Sequence, residues 1–300
     1  MNLFLIRVTV LFAFCLSISF SVSAQNDDDV VTVDSSIVVI NATITDASGN
    51  HVSGLRQNQF SVFENGVEQE LGFFAAEETP FAAVILLDSS GSMEQRVSMA
   101  RSAAIRFLDG IRETDNAEIY RFDSKVTIVQ KFSNSRDVSE KLFDLKADGM
   151  TALNDAIFQA AKDLGDRPEK RRAIIVLSDG MDTFSGHSAE KALKAALSVN
   201  ASIYTVDMSA AETSGKQLAQ NQGVLRNFAE KTGGMFIATP GGVAMRDVFR
   251  KIVDELGEQY TLSYQPKNTA KDGKWRAVEV RVSRPNLSIR TRKGYHAAKR

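Results

Sequence analysis

Cysteine is nearly absent from this chain of 300 residues, which also contains only one tryptophan and three histidines. The single cysteine, Cys15, falls in an apolar amino-terminal stretch, so the remaining chain is expected to have no disulfide and no thiol chemistry. His51, His187 and His296 are far apart in the sequence and are interpreted as ordinary surface residues. The formal net charge of -1 indicates no polyanionic partner, and no nucleic-acid partner is expected.

Long apolar runs are missing after the amino terminus, so we expect no transmembrane segment in the mature chain. Residues 1–24 have the organisation of a signal peptide, with Arg7 before an apolar run and Val22-Ser23-Ala24 before Gln25. The chain is therefore predicted to be exported, either to the periplasm or as a secreted protein. An uncleaved membrane anchor is the alternative.

Residues 25–78 and 259–300 show β patterns. Val38, Ile40, Ala42 and Ile44 alternate with other residues, and Asn65-Gly66 is a strong hairpin signal. Residues 25–29 are polar and acidic, and are interpreted as a linker rather than a calcium site. We predict that the two segments, residues 30–78 and 259–300, pair into one antiparallel, β-sandwich-like domain, because isolated hairpins are marginal in water.

Residues 79–258 alternate between strands and helices, which is typical of a parallel sheet with helices on both faces. The runs Phe81–Leu87 and Ala173–Leu177 are apolar throughout, as in central strands. The predicted fold class is therefore α/β, a doubly wound and mostly parallel sheet inserted into the smaller β domain. Helices are predicted at about 94–108, 137–145, 153–164, 189–197, 224–231 and 245–255.

Positive charge is concentrated near the carboxyl terminus. Residues 267–300 contain eleven Lys and Arg against Asp272 and Glu279. A solvated strand face with a basic tail is the preferred interpretation, and contact with an anionic surface is the alternative.

Three short pieces carry oxygen-bearing side chains after predicted strands or before a predicted helix. They are Asp88-Ser89-Ser90-Gly91-Ser92, Gly149-Met150-Thr151-Ala152-Leu153 and Ser178-Asp179-Gly180. Ligands of open α/β sheets collect at the carboxyl ends of strands, which all three pieces can reach. Two carboxylates and three hydroxyls without imidazole or thiolate suit a hard divalent cation, and not zinc or copper. The candidate metal ligands are Asp88, Ser90, Ser92, Thr151 and Asp179.

These three pieces together resemble the metal-ion-dependent adhesion site (MIDAS) of von Willebrand factor type A domains. The flanking motifs around Phe60–Gly66 and Arg292–Tyr295 resemble the acidobacterial VWFA-related family of exported proteins. The resemblance implies that Ser90 and Ser92 bind the metal directly, that Thr151 joins them in a ligand-engaged state, and that Asp88 and Asp179 act mostly through water. It also implies Mg²⁺, with Mn²⁺ or Ca²⁺ as alternatives, and a partner protein whose Asp or Glu fills an open coordination position.

Each piece also has an ordinary structural interpretation. Asp88, Ser92 and Thr151 could cap helices, and Asp179-Gly180 could be a turn. Asp155 and Asp182 could form hydrogen bonds that orient the metal ligands. Alternatively, they could stabilise the start of a helix and a turn. Phe73, Phe74 and Phe81 are assigned to the core, and Trp275 to core or sheet packing.

The expected function is metal-dependent protein–protein interaction or adhesion, and the chain is not expected to be an enzyme. A hydrolase using Ser90 or Ser92 is one alternative, although no G-x-S-x-G motif is present and no histidine is placed beside either serine. A metal-activated hydrolase at the same site, with Asp179 as base, is another, and a structural subunit of an envelope complex is the third. The sequence leaves the oligomeric state unknown.

Overall fold

A computed structural model of the chain describes residues 37–76, 79–210, 213–238 and 243–299, with only the main chain described for residues 243–246. The predicted signal peptide, Cys15 and the acidic run Asp27 to Asp29 lie outside the described residues. Within the described part, no helix has both the length and the apolar character needed to cross a membrane.

Strands dominate the two ends of the described chain, and helices alternate with strands between them. The strands are β1 (Val38–Thr45), β2 (Phe60–Glu64), β3 (Val67–Gln69), β4 (Leu71–Ala75), β5 (Phe81–Asp88), β6 (Asn116–Phe122), β7 (Val126–Ser133), β8 (Arg171–Ser178), β9 (Ala201–Asp207), β10 (Phe236–Ala238), β11 (Tyr260–Tyr264), β12 (Trp275–Val282), β13 (Ser288–Arg290) and β14 (Gly294–His296). The α-helices are α1 (Val97–Gly110), α2 (Leu153–Gly165), α3 (Ala189–Ser198), α4 (Gly215–Thr232) and α5 (Val243–Glu258). Single turns of 3₁₀ helix occur at Gln57–Gln59, Gly91–Met93 and Glu140–Leu142.

The central sheet has the order β10-β9-β8-β5-β6-β7, and only the β6–β7 pair is antiparallel. Every residue of β5 is buried. Alternate residues of β5 enter different cores, with Phe81 and Ala83 on one face and Ala82 and Val84 on the other. The all-apolar run therefore reflects a strand without a solvent-facing side.

Helices cover both faces of this sheet. Phe107 of α1 and Phe249 of α5 pack into one core. Leu153 of α2, Ala192 of α3 and Phe228 of α4 pack into the other. The doubly wound fold class is thus confirmed.

One predicted helix is wrong. Residues 137–145 contain only the 3₁₀ turn Glu140–Leu142. The Ser135 amide donates to Ser133 Oγ at 2.9 Å, the Asp137 amide to Ser135 Oγ at 3.0 Å, and the Ser139 amide to Gln130 Oε1 at 3.0 Å. These side-chain acceptors stabilise local turns, an alternative to helix that serine side chains offer the backbone.

The terminal strands form two four-stranded antiparallel sheets, β13-β1-β11-β4 and β14-β12-β2-β3. Each sheet combines strands from both ends of the chain, since β1 pairs with β11 and β2 pairs with β12. One apolar core lies between the sheets and includes Ile40, Val62, Leu262 and Val280. This arrangement is an antiparallel sandwich built from both flanks, as the predicted fold class requires.

The two flanking sequence motifs contact each other in this sandwich. Glu64, at the end of β2, is buried and accepts hydrogen bonds from the hydroxyls of Tyr295 at 2.8 Å and Tyr264 at 2.9 Å. Asn65 and Gly66 have φ values of 49° and 81°, which form the tight β2–β3 turn. A Cβ atom on Gly294 would lie 2.4 Å from the Trp275 ring, so this position requires glycine.

Arg171, the first residue of β8, joins the sandwich to the α/β block. Its side chain is fully buried and donates to Thr79 O at 3.4 Å, on the connection from β4 to β5, and to Gly257 O at 2.9 Å, in the last turn of α5. It also donates to Thr261 Oγ1 at 3.0 Å. Further acceptors are the carbonyl oxygens of Ala76, Leu256 and Gln259.

Three arginines of the basic carboxyl-terminal region are buried or partly buried and paired within the fold, whereas the other seven Lys and Arg that the structure describes there are exposed. Arg276 pairs with Asp272 at 2.9 Å, and Arg290 pairs with Glu255. Buried Arg292 donates to Leu197 O at 3.2 Å and Val39 O at 2.7 Å. The exposed cations fit the preferred interpretation of a solvated face, and contact with an anionic surface stays a hypothesis.

Two residues, Phe73 and His51, have environments different from those expected, whereas Trp275 takes the expected place in the sheet. Phe73, on the edge strand β4, is 43% exposed and is therefore not a core residue. The side chain of His51 is only 14% exposed and its ring stacks near Tyr260, so it is not an ordinary surface histidine. Trp275 is partly exposed and packs in the sheet against Gly294 and His296.

Candidate metal centre

The first loop of the candidate site follows β5 directly. The amide and hydroxyl of Ser90 both donate to Asp88 Oδ1, at 2.9 and 2.6 Å, which folds the loop back over the strand end. The hydroxyls of Ser90 and Ser92 lie 3.2 Å apart. Alternate residues of this loop therefore turn their oxygens to the same side, as their spacing predicts.

The third loop contributes a residue that the sequence did not assign. Ser178, the last residue of β8, donates its hydroxyl to Asp88 Oδ2 at 2.5 Å and accepts from the Gly180 amide at 3.0 Å. Asp179 follows it and is buried. Gly180 has φ 81°, and a Cβ there would lie 2.6 Å from Asn221 O, so only glycine fits this turn.

The second loop is held against the other two by main-chain hydrogen bonds. The Gly91 amide donates to Gly149 O at 3.2 Å, and the Asp148 amide donates to Ser89 O at 2.8 Å. Further along the same loop, Thr151 is buried.

Two amides from the third loop, those of Thr183 and Phe184, both donate to Thr151 O at 2.9 Å. The Thr151 amide in turn donates to Thr183 Oγ1 at 3.0 Å. All three loops are therefore fixed to one another at the carboxyl edge of the sheet.

The carboxylate of Asp88 has an unusual electrostatic environment. Burial raises its pKa from 3.8 to about 6, although the hydroxyls of Ser178 and Ser90 and the Ser90 amide oppose the rise. The negative charge of Asp179 adds to the increase, which also indicates that the two carboxylates are close. Among the described residues, neither carboxylate forms an ion pair with Lys, Arg or His.

This donor set fits a hard divalent cation. Asp88, Ser90, Thr151 and Asp179 are buried, whereas Ser92 is exposed, so the oxygens lead from the sheet end towards solvent. Two neighbouring carboxylates without a cationic partner form a negative site that a cation would neutralise. In the described ranges, no group of three or more His, Cys, Asp and Glu side chains is arranged to hold a metal. The candidate site differs from such a group, because three of its five donor side chains, Ser90, Ser92 and Thr151, are hydroxyls.

The carboxylates of Asp155 and Asp182 accept hydrogen bonds that hold the third loop against the start of α2, which follows the second loop. Asp182 accepts from the Asn154 amide at 2.8 Å at the start of α2 and from Ser185 Oγ at 2.6 Å. Asp155 accepts from the Gly186 amide at 2.9 Å and from His187 Nδ1 at 2.6 Å. Burial alone would raise the pKa of Asp155, but these hydrogen bonds outweigh it and lower the pKa. The helix-start and turn roles are the ones observed.

The histidines do not lie beside the candidate serines. His187 stacks on Phe158 with ring centroids 4.1 Å apart, His51 lies near Tyr260, and His296 contacts Trp275. A hydrolase reaction with Ser90 or Ser92 as nucleophile therefore has no described imidazole in contact as its base.

The fold and the site together define an α/β protein with a doubly wound sheet and oxygen-rich loops at the carboxyl edge of that sheet. Residues 83–181 match the family model of the von Willebrand factor type A domain, and this stretch includes all five candidate ligands. The chain therefore contains a von Willebrand factor type A domain.

One relative matches in sequence over part of the chain. An uncharacterized protein of Synechocystis sp. (strain ATCC 27184 / PCC 6803 / Kazusa) is 33% identical over 109 residues, which are 34% of this chain and 25% of that protein. The match thus spans a quarter of the length of the relative.

Two solved structures share the fold. The von Willebrand factor type A protein from Catenulispora acidiphila has a TM-score of 0.50 and 14% identity, with 81% of this chain and 75% of that chain covered. Proximal thread matrix protein 1 from the mussel byssus also has a TM-score of 0.50 and 14% identity, with 65% and 51% covered.

Proposed function

We propose that this chain is an exported, non-enzymatic binding protein that captures a carboxylate of a partner protein through a divalent cation, with Mg²⁺ as the first candidate and Mn²⁺ or Ca²⁺ as alternatives. Von Willebrand factor type A domains mediate protein interactions, which supports the proposal of a binding function. Export is proposed from the leader sequence alone.

The proposal depends mainly on one observation, namely that three interlocked loops bring two unneutralised carboxylates to the edge of the sheet. The hydroxyls of Ser90, Ser92 and Thr151 would hold the cation directly, and Asp88 and Asp179 would hold its water ligands. When bound, a divalent cation supplies positive charge and an accessible coordination position for an external carboxylate. Ser92 is exposed, so this position would face solvent.

A binding function accounts for more of the site than catalysis does. Ser90 already donates its hydroxyl to Asp88 and contacts no histidine, so no described group activates it as a nucleophile. Asp179 accepts from the Met181 amide at 3.0 Å and lies in the metal loop, which suits a structural carboxylate better than a general base.

The experiment measures unfolding of the purified chain in Mg²⁺, Mn²⁺, Ca²⁺ or chelator. Cation binding to the folded state should stabilise it by about 2.7 kcal/mol at about one hundred times the Kd. Asp88→Ala and Thr151→Ala should abolish this stabilisation. Asp109→Ala on α1 and exposed Thr127→Ala on β7 are the matched controls and should retain it.

Partner capture is tested on the same proteins with a library of displayed random peptides. Wild type should retain peptides in Mg²⁺ and release them in chelator, and retention should require an Asp or Glu in the peptide. Cation stabilisation without any retained peptide would support a structural subunit instead. Turnover of ester or phosphoester substrates that Ser90→Ala abolishes would support an enzyme.

A further inference from the structure

Two exposed apolar side chains flank the candidate metal loop. In the described part of the chain, Met150 is 53% exposed and Phe184 is 55% exposed. Met150 directly precedes Thr151, and the Phe184 amide donates to Thr151 O at 2.9 Å. Isolated exposed apolar residues are common on protein surfaces, but these two are fixed to the same buried threonine.

Their positions are set by the loop backbone. The Met150 amide donates to Ser124 Oγ at 3.1 Å in the turn between β6 and β7. The preceding Gly149 has φ 75°, and a Cβ there would lie 2.7 Å from Ser124 Oγ. Phe184 is held by its own amide and by the Asp182 carboxylate, which accepts from Ser185. Both side chains are therefore presented to solvent by ordered loops and are not exposed through loss of structure.

The surrounding loops are acidic. Residues 88–96, 123–125, 146–151 and 178–187 contain six acidic residues and three basic ones. The acidic residues are Asp88, Glu94, Asp123, Asp148, Asp179 and Asp182, and the basic residues are Arg96, Lys125 and Lys146. Beyond the one carboxylate that a bound cation would accept, further negative charge on a partner would be repelled.

We propose that Met150 and Phe184 form an apolar rim beside the metal site, and that the rim selects a protein segment with a single Asp or Glu next to a large apolar side chain. This inference rests on the proposed function. Methionine and aromatic residues are enriched where protein partners bind, and burying them against an apolar side chain of the partner stabilises the complex. The acidic loops explain why the selected segment carries one carboxylate and not an acidic run.

The test uses the displayed random peptides retained by the intact chain in Mg²⁺. Retained peptides should have one Asp or Glu within two residues of Leu, Ile, Met or Phe, and should lack further acidic residues. Met150→Ser and Phe184→Ser should each weaken binding of a selected synthetic peptide about tenfold. The Mg²⁺ affinity of both variants, measured by calorimetry, should equal that of wild type.

Phe73→Ser is the control, because Phe73 is similarly exposed but lies at the opposite end of the sheet from the metal site. Phe73 is near Lys170, which directly precedes β8, and Asp179 directly follows that strand. Its peptide affinity should be unchanged. Magnesium-dependent peptides without an apolar preference, or unchanged affinity in both rim variants, would overturn the rim while leaving the proposed function intact. Absence of Mg²⁺ binding, or of any magnesium-dependent peptide, would overturn both.

Discussion

The buried charges at the two ends of the central sheet differ in whether the chain itself neutralises them. At the carboxyl end, Asp88 and Asp179 are buried, and among the described residues neither has a cationic partner. At the amino end, Arg171 is buried and donates to six oxygen acceptors, which lie on both connections to the sandwich, in the last turn of α5 and on β11.

This difference indicates that the amino end of the sheet has a structural role and that the carboxyl end is the candidate ligand-binding end. The acceptors around Arg171 come from the chain itself, so its charge is accommodated within the fold. The charges of Asp88 and Asp179 are balanced only by hydroxyl and amide donors, which leaves net negative charge for an external cation. Mutations at the amino end should therefore change stability, and those at the carboxyl end should mainly change cation binding.

The largest expected effect is at the amino end. Arg171→Met should lower the free energy of unfolding by about 3–5 kcal/mol, because it leaves several buried carbonyl oxygens without donors. Denaturant unfolding in chelator measures this loss. Arg106→Met, at a side chain that is 52% exposed, should change stability by no more than about 0.5 kcal/mol. A loss below about 1 kcal/mol for Arg171→Met would contradict the structural role.

A smaller effect is expected at the carboxyl end for Ser178→Ala. Removing the hydroxyl that donates to Asp88 should weaken Mg²⁺ binding about tenfold, because loss of a hydrogen bond to a metal ligand commonly has an effect of this size. Calorimetric titration with Mg²⁺ measures the effect, and Ser198→Ala, on α3, is the control. Unchanged Mg²⁺ affinity would show that the Ser178 contact does not position Asp88 for a cation.

The smallest effect concerns an acid away from both ends. Glu118 on β6 is buried, and its Oε2 atom has no hydrogen-bond partner among the residues that the structure describes. Burial, followed by the negative charge of Asp163, raises its pKa from 4.5 to about 7. The folded state therefore holds the proton at pH values where the unfolded state has released it. Stability should consequently fall as the pH rises from about 4.5 to about 7.

Glu118→Gln should reduce this slope and should be more stable than wild type by about 1 kcal/mol at pH 8. Unfolding in denaturant across this pH range provides the measurement. Exposed Glu113→Gln should leave the slope unchanged, and equal slopes for wild type and Glu118→Gln would show that Glu118 is not responsible. Some slope should persist in the variant, because the pKa of Asp163 is also raised by burial.

Local sequence patterns predicted the elements around the site well. The apolar runs in β5 and β8 placed Asp88 and Asp179 at strand ends, because a strand buried on both faces must end where polar residues begin. The spacing of Asp88, Ser90 and Ser92 likewise predicted that their oxygens face one side. Whether these oxygens share a cation stays a prediction.

Long-range contacts were not visible in the sequence. Arg171 is one of two adjacent arginines at the start of an apolar run, and nothing in its neighbours indicates six acceptors from distant segments. Ser124 lies in a short turn, yet its hydroxyl fixes the Met150 amide across 26 residues. The helix predicted at 137–145 was wrong in a segment whose amides bond to serine and glutamine side chains, one of which, Gln130, lies on β7.

The pairing of distant strands in the sandwich has a consequence for how the chain folds. Thr261 donates its hydroxyl to Asn41 Oδ1 across 220 residues, and β12 and β14 come from the last part of the sequence. Contacts between such remote segments form slowly, because a long intervening loop must first be closed or become compact. The α/β block consists of shorter-range pairings and is expected to fold first, which shortens that loop. The sandwich then completes the molecule only after its final strands have been synthesised.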